Sequence, residues 1–225
     1  MAPVTASQIM QAEDATLTLQ QWLSPSFPLG AFAYSHGLEG AVDMGLVHNE
    51  DTLRTWLSDL LHRGTGRCDA VWLREGYAAG EDTNAVRRLD EEARAFAITH
   101  SRLQESVRQG AAFARTLREV WRLDIPDLIL PLAVGAGARR RGYDLELLVP
   151  LYLHAFVSNL VAATQRLLPI GQTAGQRVLV SLQSDCRAVA QATEKTGRSA
   201  LYSNTFLSDI ASMRQESLKT RIFQS

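Results

Sequence analysis

From Leu147 to Gln165 the chain runs 19 residues without a formally charged side chain. A stretch this long and apolar either crosses a bilayer or forms the interior helix of a protein large enough to surround it. Pro150, His154, Ser158, Asn159, Thr164 and Gln165 fall inside it. That polar load is heavy for lipid, so the stretch is read as a central core helix and no membrane association is expected. Its apolar residues Leu145, Leu148, Val149, Tyr152, Phe156, Leu160, Ala163 and Leu167 recur on one helical stripe. Pro150, which lacks an N–H, is expected to start or kink a helix there.

The helical period continues through the rest of the chain. Leu53, Trp56, Leu57, Leu60 and Leu61 mark one face of an amphipathic helix, with Asn49 placed to cap it and Glu50 and Asp51 in its first turn. Val107, Gly110, Ala114, Leu117 and Trp121 form a seam with small residues where another segment can approach closely, and Val178, Leu182, Cys186 and Val189 form a further stripe. No segment shows the sustained alternation of a strand. Ile125–Val134 comes nearest, but Pro126 and Pro131 interrupt it, and Pro126 followed by Asp127 fits a helix start. The expected fold is all-α, a single-domain bundle of about nine or ten helices over residues 1–225. Residues 1–6 are expected to be disordered, and residues 205–225 to form a partner-binding tail. The first fifteen residues carry no basic segment and no apolar core of the signal-peptide type.

Charge and motif content narrow the function by exclusion. The net charge is -1, against the basic stripe of a nucleic-acid binder. Only Lys195 and Lys219 are lysines, so 21 of the 23 basic residues are arginine. No phosphate-binding GxxxxGK[ST], no GxGxxG after a strand and no GxSxG elbow is present. Gly135-Ala-Gly137 precedes Arg139–Arg141, which reads as a solvated helix end rather than an anion cradle. No two of His36, His48, His62, His100 and His154 share the i, i+3 or i, i+4 spacing of helical metal ligands. Cys68 and Cys186 read as free buried thiols in a reducing cytosol. No cofactor, metal site or catalytic residue is expected.

Three segments stand out. In Ser24–Glu39, two prolines and two glycines fix a stiff loop, and Phe27, Phe32 and Tyr34 supply apolar anchors. In Ser158–Gln176, Arg166 ends the uncharged helix, a Pro-x-Gly turn follows, and Gln172 and Gln176 open the next helix. A half-buried arginine needs partners; Ser158, Asn159, Gln172 and Gln176 are the candidates. The tail from Asp209 onward carries Ile210, Met213, Leu218 and Ile222 with partial helical spacing. Each segment also has a purely structural reading: a packed connector, a polar hairpin clasp and a docked terminal helix.

Together these segments resemble the urease accessory protein UreF family. The resemblance rests on Phe27-Pro28-x-Gly30-x-Phe32-x-x-Ser35-x-Gly37-Leu38-Glu39, with Tyr34 inside it. A central block adds Ser158-Asn159, Ala163, Arg166, Pro169, Gly171-Gln172-Thr173, Gly175 and Gln176. The tail adds Asp209-Ile-Ala-Ser-Met213-Arg, Glu216 and a final aromatic, Phe223. It spans residues 21–225. It implies an all-helical, non-catalytic, dimeric cytoplasmic protein. Such a protein binds a second accessory protein, UreD (also called UreH), recruits the GTPase UreG and docks on apo-urease for nickel insertion. It further implies that the tail, with Asp209, Met213, Glu216, Arg221 and Phe223, faces UreD/UreH. Two alternatives remain open: a protein that alters GTP hydrolysis by UreG, and an enzyme with an anion site at Arg166, Gln172, Gln176 and His154.

Overall fold

A computed structural model describes residues 6–224. Among them are ten α-helices, two short 310 turns and no strand: α1 (Ala6–Trp22), α2 (Leu38–Asp43), α3 (Glu50–Arg63), α4 (Thr65–Ala79), α5 (Thr83–Phe96), α6 (His100–Trp121), α7 (Leu130–Arg141), α8 (Leu145–Leu167), α9 (Gln172–Ala192) and α10 (Phe206–Glu216). The all-α, single-domain expectation holds. The disorder expected for residues 1–6 lies outside the described residues except at Ala6, which opens α1.

Local signals set several boundaries. Asn49 caps α3 as expected: its Oδ1 accepts from Thr52 N at 2.9 Å, and Thr52 Oγ1 accepts from Asn49 N at 3.1 Å. The anticipated stripe of α3 is its buried face, with Leu53, Leu57, Leu60 and Leu61 all inside. Helix α8 runs 23 residues and is long and apolar enough to cross a membrane, yet half of its most apolar window is buried inside the protein. Pro150 lies within α8. The helix continues through it, losing the bond that a residue 150 N–H would give to the Glu146 carbonyl.

The helix start expected at Pro126 is not found; α7 begins at Leu130, with Pro131 in its first turn. Residues 122–129 instead run without helix. Arg118 donates to the Ile125 carbonyl and, at 2.9 Å, to Asp127 Oδ1. Ile129 N donates to Asp90 Oδ1 at 2.7 Å. Ile125, Leu128 and Ile129 all reach the core; their i, i+3, i+4 spacing would equally suit one face of a helix, and it is the bonds to Arg118 and Asp90 that hold the segment in its non-helical course.

At the centre, α4 packs closely on α7. A Cβ at Gly135 would sit 2.1 Å from the Leu73 carbonyl oxygen, so only glycine permits this approach. Gly135 thus serves the packing of α7 on α4. The arginines after it tie helices together rather than standing free. Arg140 reaches the Gly80 carbonyl at 2.7 Å and Thr83 Oγ1 at 3.1 Å, and Arg139 pairs with Glu81 at 2.9 Å. Arg74, 9% exposed, joins α4 to α8 and α9 through two bonds to Glu146 (2.6 and 2.9 Å) and one to the Ala190 carbonyl (2.9 Å). Trp22 closes the lower core against Phe113, Trp121 and Tyr143. Both cysteines are free and buried, and desolvation pushes each thiol up to about 12.

Candidate functional site: a clamped C-terminal tail and a buried polar cavity

The loop from Ser24 to Gly37 is anchored by Phe27, which meets Phe113 at 5.3 Å between ring centroids, and by Tyr34, also buried. Phe32, expected as a third anchor, is 60% exposed. The left-handed backbone at Gly30, His36 and Gly37 turns the chain into α2. Ser35, Gly37 and Glu39 thereby come to face the tail.

Helix α10 lies against α2. A Cβ on Gly40 would sit 2.1 Å from the Ala211 carbonyl oxygen, so the two backbones touch at that point. Gln215, 1% exposed, accepts at Oε1 from Ser35 Oγ (3.1 Å) and Gly40 N (3.4 Å), and its Nε2 donates to Glu39 Oε2 (3.4 Å). Beyond α10 the chain has no regular structure, yet it is held. Ile222 N donates to Glu39 Oε1 at 2.7 Å and Phe223 N to Glu39 Oε2 at 3.0 Å. One carboxylate thus accepts from two consecutive amides. Gln224 N donates to the Ala33 carbonyl at 2.7 Å. Phe223 is 3% exposed, with the Arg166 guanidinium 4.3 Å from its ring centroid. Arg166 also donates to the Phe32 carbonyl at 2.6 Å. The first segment, Arg166 of the second, and the tail meet in one clamp.

The six residues expected to form one polar group are therefore divided. Arg166 is exposed and turns to Phe32 and Phe223, with none of its expected partners. Gln172 and Gln176 are exposed on α9, and Gly175 is buried against Gln165 and Val161. Ser158 and Asn159 line a cavity with His154. The tail residues also separate by face. Phe223 points in. Glu216 accepts from Ser101 N at 3.2 Å. Burial raises the Asp209 carboxyl against the pull of Arg102. Outward, Met213 is 52%, Leu207 53% and Phe206 72% exposed, an apolar face on a terminal helix. Arg221 is exposed.

A cavity of about 600 Å³ opens between α1, α6 and α8. Its polar wall holds His36, Asp69, Arg102, Glu105, Gln109 and Tyr152. Tyr152 OH donates to Asp69 Oδ2 at 2.8 Å. His36 Nδ1 lies 3.6 Å and Arg102 Nε 3.9 Å from the Glu105 carboxylate. Desolvation lowers His36 to about 4 and raises Asp69 to about 6. Among these only His36 belonged to a segment singled out from the sequence. Arg102, Glu105 and Gln109 carry the one signal available, polar residues at i, i+3 and i+7 on the core side of α6. No spacing links them to Asp69 on α4 or Tyr152 on α8. Among the described residues no group of three His, Cys, Asp or Glu could hold a metal ion.

A family model described as UreF matches residues 47–183. The chain is 42% identical over 222 residues to the urease accessory protein UreF of Roseobacter denitrificans, covering 99% of each. It is 49% identical over 212 residues to that of Ruegeria sp. (strain TM1040), covering 94% of this chain and 99% of the relative. To that of Bradyrhizobium diazoefficiens it is 40% identical over 236 aligned positions, covering 99% and 97%. With the loop, the hairpin arginine and the tail meeting in one clamp, and with full-length relatives of one description, the chain belongs to the UreF family.

Proposed function

We propose that this protein is a non-catalytic scaffold of urease maturation, working in the cytoplasm. In this reading it binds UreD/UreH through its C-terminal tail, recruits the GTPase UreG with that partner, and docks both on apo-urease for nickel insertion. The observation that carries the reading is the two-sided tail. Its inner face is fastened by Gln215, Phe223 and the Glu39 carboxylate, while Phe206, Leu207 and Met213 stand in solvent. Exposed apolar side chains on a helix whose backbone is already ordered suit a partner groove, because little entropy is lost on docking. Arg166 is engaged with Phe32 and Phe223, which disfavours an anion site shared with Gln172 and Gln176. A homodimer is part of the reading. The exposed, uncharged Leu147 and Leu151 on α8 offer an apolar seam to a second copy.

The test is size-exclusion with light scattering on the full chain mixed with cognate UreD/UreH. A chain ending at Ser217 and a Phe206→Ser/Met213→Ser double variant are run beside it. Loss of co-elution in both, with unchanged far-ultraviolet circular dichroism, is the expected result. A complex that survives both changes would remove the tail from the interface. Truncation after Thr205 is a poorer probe, since it also strips α10 from Gly40 and uncovers α2.

A further inference from the structure

A second, smaller pocket of about 100 Å³ lies where the turn between α5 and α6 meets α4 and α10. Phe96 and Ile98 line it and are 38% and 49% exposed. Trp72 backs the Phe96 ring, edge to face, at 6.4 Å between centroids. Thr65, Ser203 and Asp209 supply the polar part of the wall. Phe206, 72% exposed, precedes Asp209 by three residues and so neighbours it on the surface of α10.

Asp209 is the anomaly in this wall. It is half-buried, and its carboxylate takes no hydrogen bond and no close ion pair among the described residues. Its place in the first turn of α10 offsets part of the cost through the helix dipole, yet burial still raises the carboxyl above its ordinary range. The cation that pulls on it, Arg102, is shared. That guanidinium also faces Glu105 and Asp69 and donates to Thr65 Oγ1 at 3.0 Å. Arg67 lies over the Tyr202 ring at 4.8 Å and is not part of the pocket wall. Three carboxylates thus surround one guanidinium, and Asp209 is the one left facing the pocket without a donor. The pocket has the volume of about three waters, room for the head of one side chain. A metal ion would find no set of three ligands among the described residues. A guanidinium is planar, lies flat on an aromatic ring, forks onto a carboxylate and has N–H groups to spare for hydroxyls, which an ammonium matches less well. The exposed Ile98 and Phe206 beside the pocket call for an apolar surround, so the cation arrives on a protein surface.

We propose that this pocket receives one arginine side chain of a protein partner, whose guanidinium pairs with Asp209 over the Phe96 ring while the surface around it covers Ile98 and Phe206. The inference rests on the reading above, in which α10 meets UreD/UreH, and takes that protein as the source of the arginine.

The full-length chain and its Asp209→Asn and Phe96→Ala variants are titrated with cognate UreD/UreH by calorimetry at low and high salt. Each complex, at saturating concentration, is then treated with phenylglyoxal, which modifies accessible arginines, and the modified sites are read by mass spectrometry. Asp209→Asn should bind about tenfold more weakly, with unchanged circular dichroism and a shallower salt dependence. Phe96→Ala should also weaken binding, with the salt dependence kept. One UreD/UreH arginine should be protected in the wild-type complex and reactive in the Asp209→Asn complex. If Asp209→Asn fails to fold, Phe96→Ala and the protection of a single partner arginine in the wild-type complex decide. The Phe206→Ser/Met213→Ser variant separates the two readings. If it too binds as wild type, α10 is not the interface and the reading beneath this one has failed. If it loses binding while Asp209→Asn binds as wild type, or if no partner arginine is protected, the arginine pocket alone is overturned.

Discussion

Replacing Glu39 by glutamine keeps the size of the side chain and removes its charge and one acceptor. In the native clamp, Oε1 takes the Ile222 amide at 2.7 Å, while Oε2 takes the Phe223 amide at 3.0 Å and Gln215 Nε2 at 3.4 Å. A glutamine oxygen can serve one of these positions; the NH2 then faces donors at the other. Hydrogen bonds to a charged group contribute about 1.5–3 kcal/mol each. The tail retains the burial of Phe223, worth about 2 kcal/mol, and the Arg166 contact, about 0.5–1 kcal/mol at an exposed site. A net loss of about 2 kcal/mol raises the released population of residues 218–224 roughly thirty-fold. Amide exchange at Ile222, Phe223 and Gln224 should accelerate by that factor, and trypsin should cut at Lys219 and Arg221 correspondingly faster. Exchange elsewhere should stay as it was, because release of the tail leaves the helices packed. Unchanged protection at Ile222 and Phe223 in Glu39→Gln would refute the clamp.

The further expectations concern packing and pH. Gly40→Ala drives a methyl toward the Ala211 carbonyl at 2.1 Å; overpacking of this kind costs roughly 1–3 kcal/mol, and urea denaturation should show a lower midpoint with faster tail proteolysis. A midpoint equal to wild type would mean that α2 and α10 are not in backbone contact. Phe206→Ser/Met213→Ser should leave the midpoint within about 0.5 kcal/mol of wild type, as exposed positions do; a larger loss would place those side chains in the core. His36 is lowered to about 4 in the fold, so its contribution is whole above pH 6.5 and is lost as pH falls through 4, on the order of 3 kcal/mol. Asp69 is raised to about 6, so its contribution is whole below pH 3.8 and is lost as pH rises through 6. The two oppose each other between pH 4 and 6. Asp69→Asn removes one side of that balance and should lose about 3 kcal/mol more than wild type on acidification from pH 6.5 to 4; parallel pH profiles would show that Asp69 is not desolvated.

What the sequence determined was local. Helical spacing marked the buried faces of α3, α8 and α9, because each stripe is written in residues three and four apart. The Asn49 cap was legible for the same reason. The three unusual segments were visible as segments, since glycine, proline and lone charges break the amphipathic pattern. Their meeting was not. Nothing in the spacing ties Glu39 to Ile222 and Phe223, or Arg166 to Phe223, because those contacts join residues far apart in the chain. The partners expected for Arg166 were its sequence neighbours; the fold sends its guanidinium the other way, to the tail. The non-helical course of residues 122–129 escaped the pattern too, since Arg118 and Asp90 hold that segment from separate helices. The cavity follows the same rule. Asp69, Arg102 and Tyr152 lie on α4, α6 and α8, each placed by the packing of its own helix, and only tertiary structure encloses them in one desolvated space. Sequence periodicity records which side of a helix is buried; it carries no information about which helix lies opposite, and both the clamp and the cavity depend on that pairing.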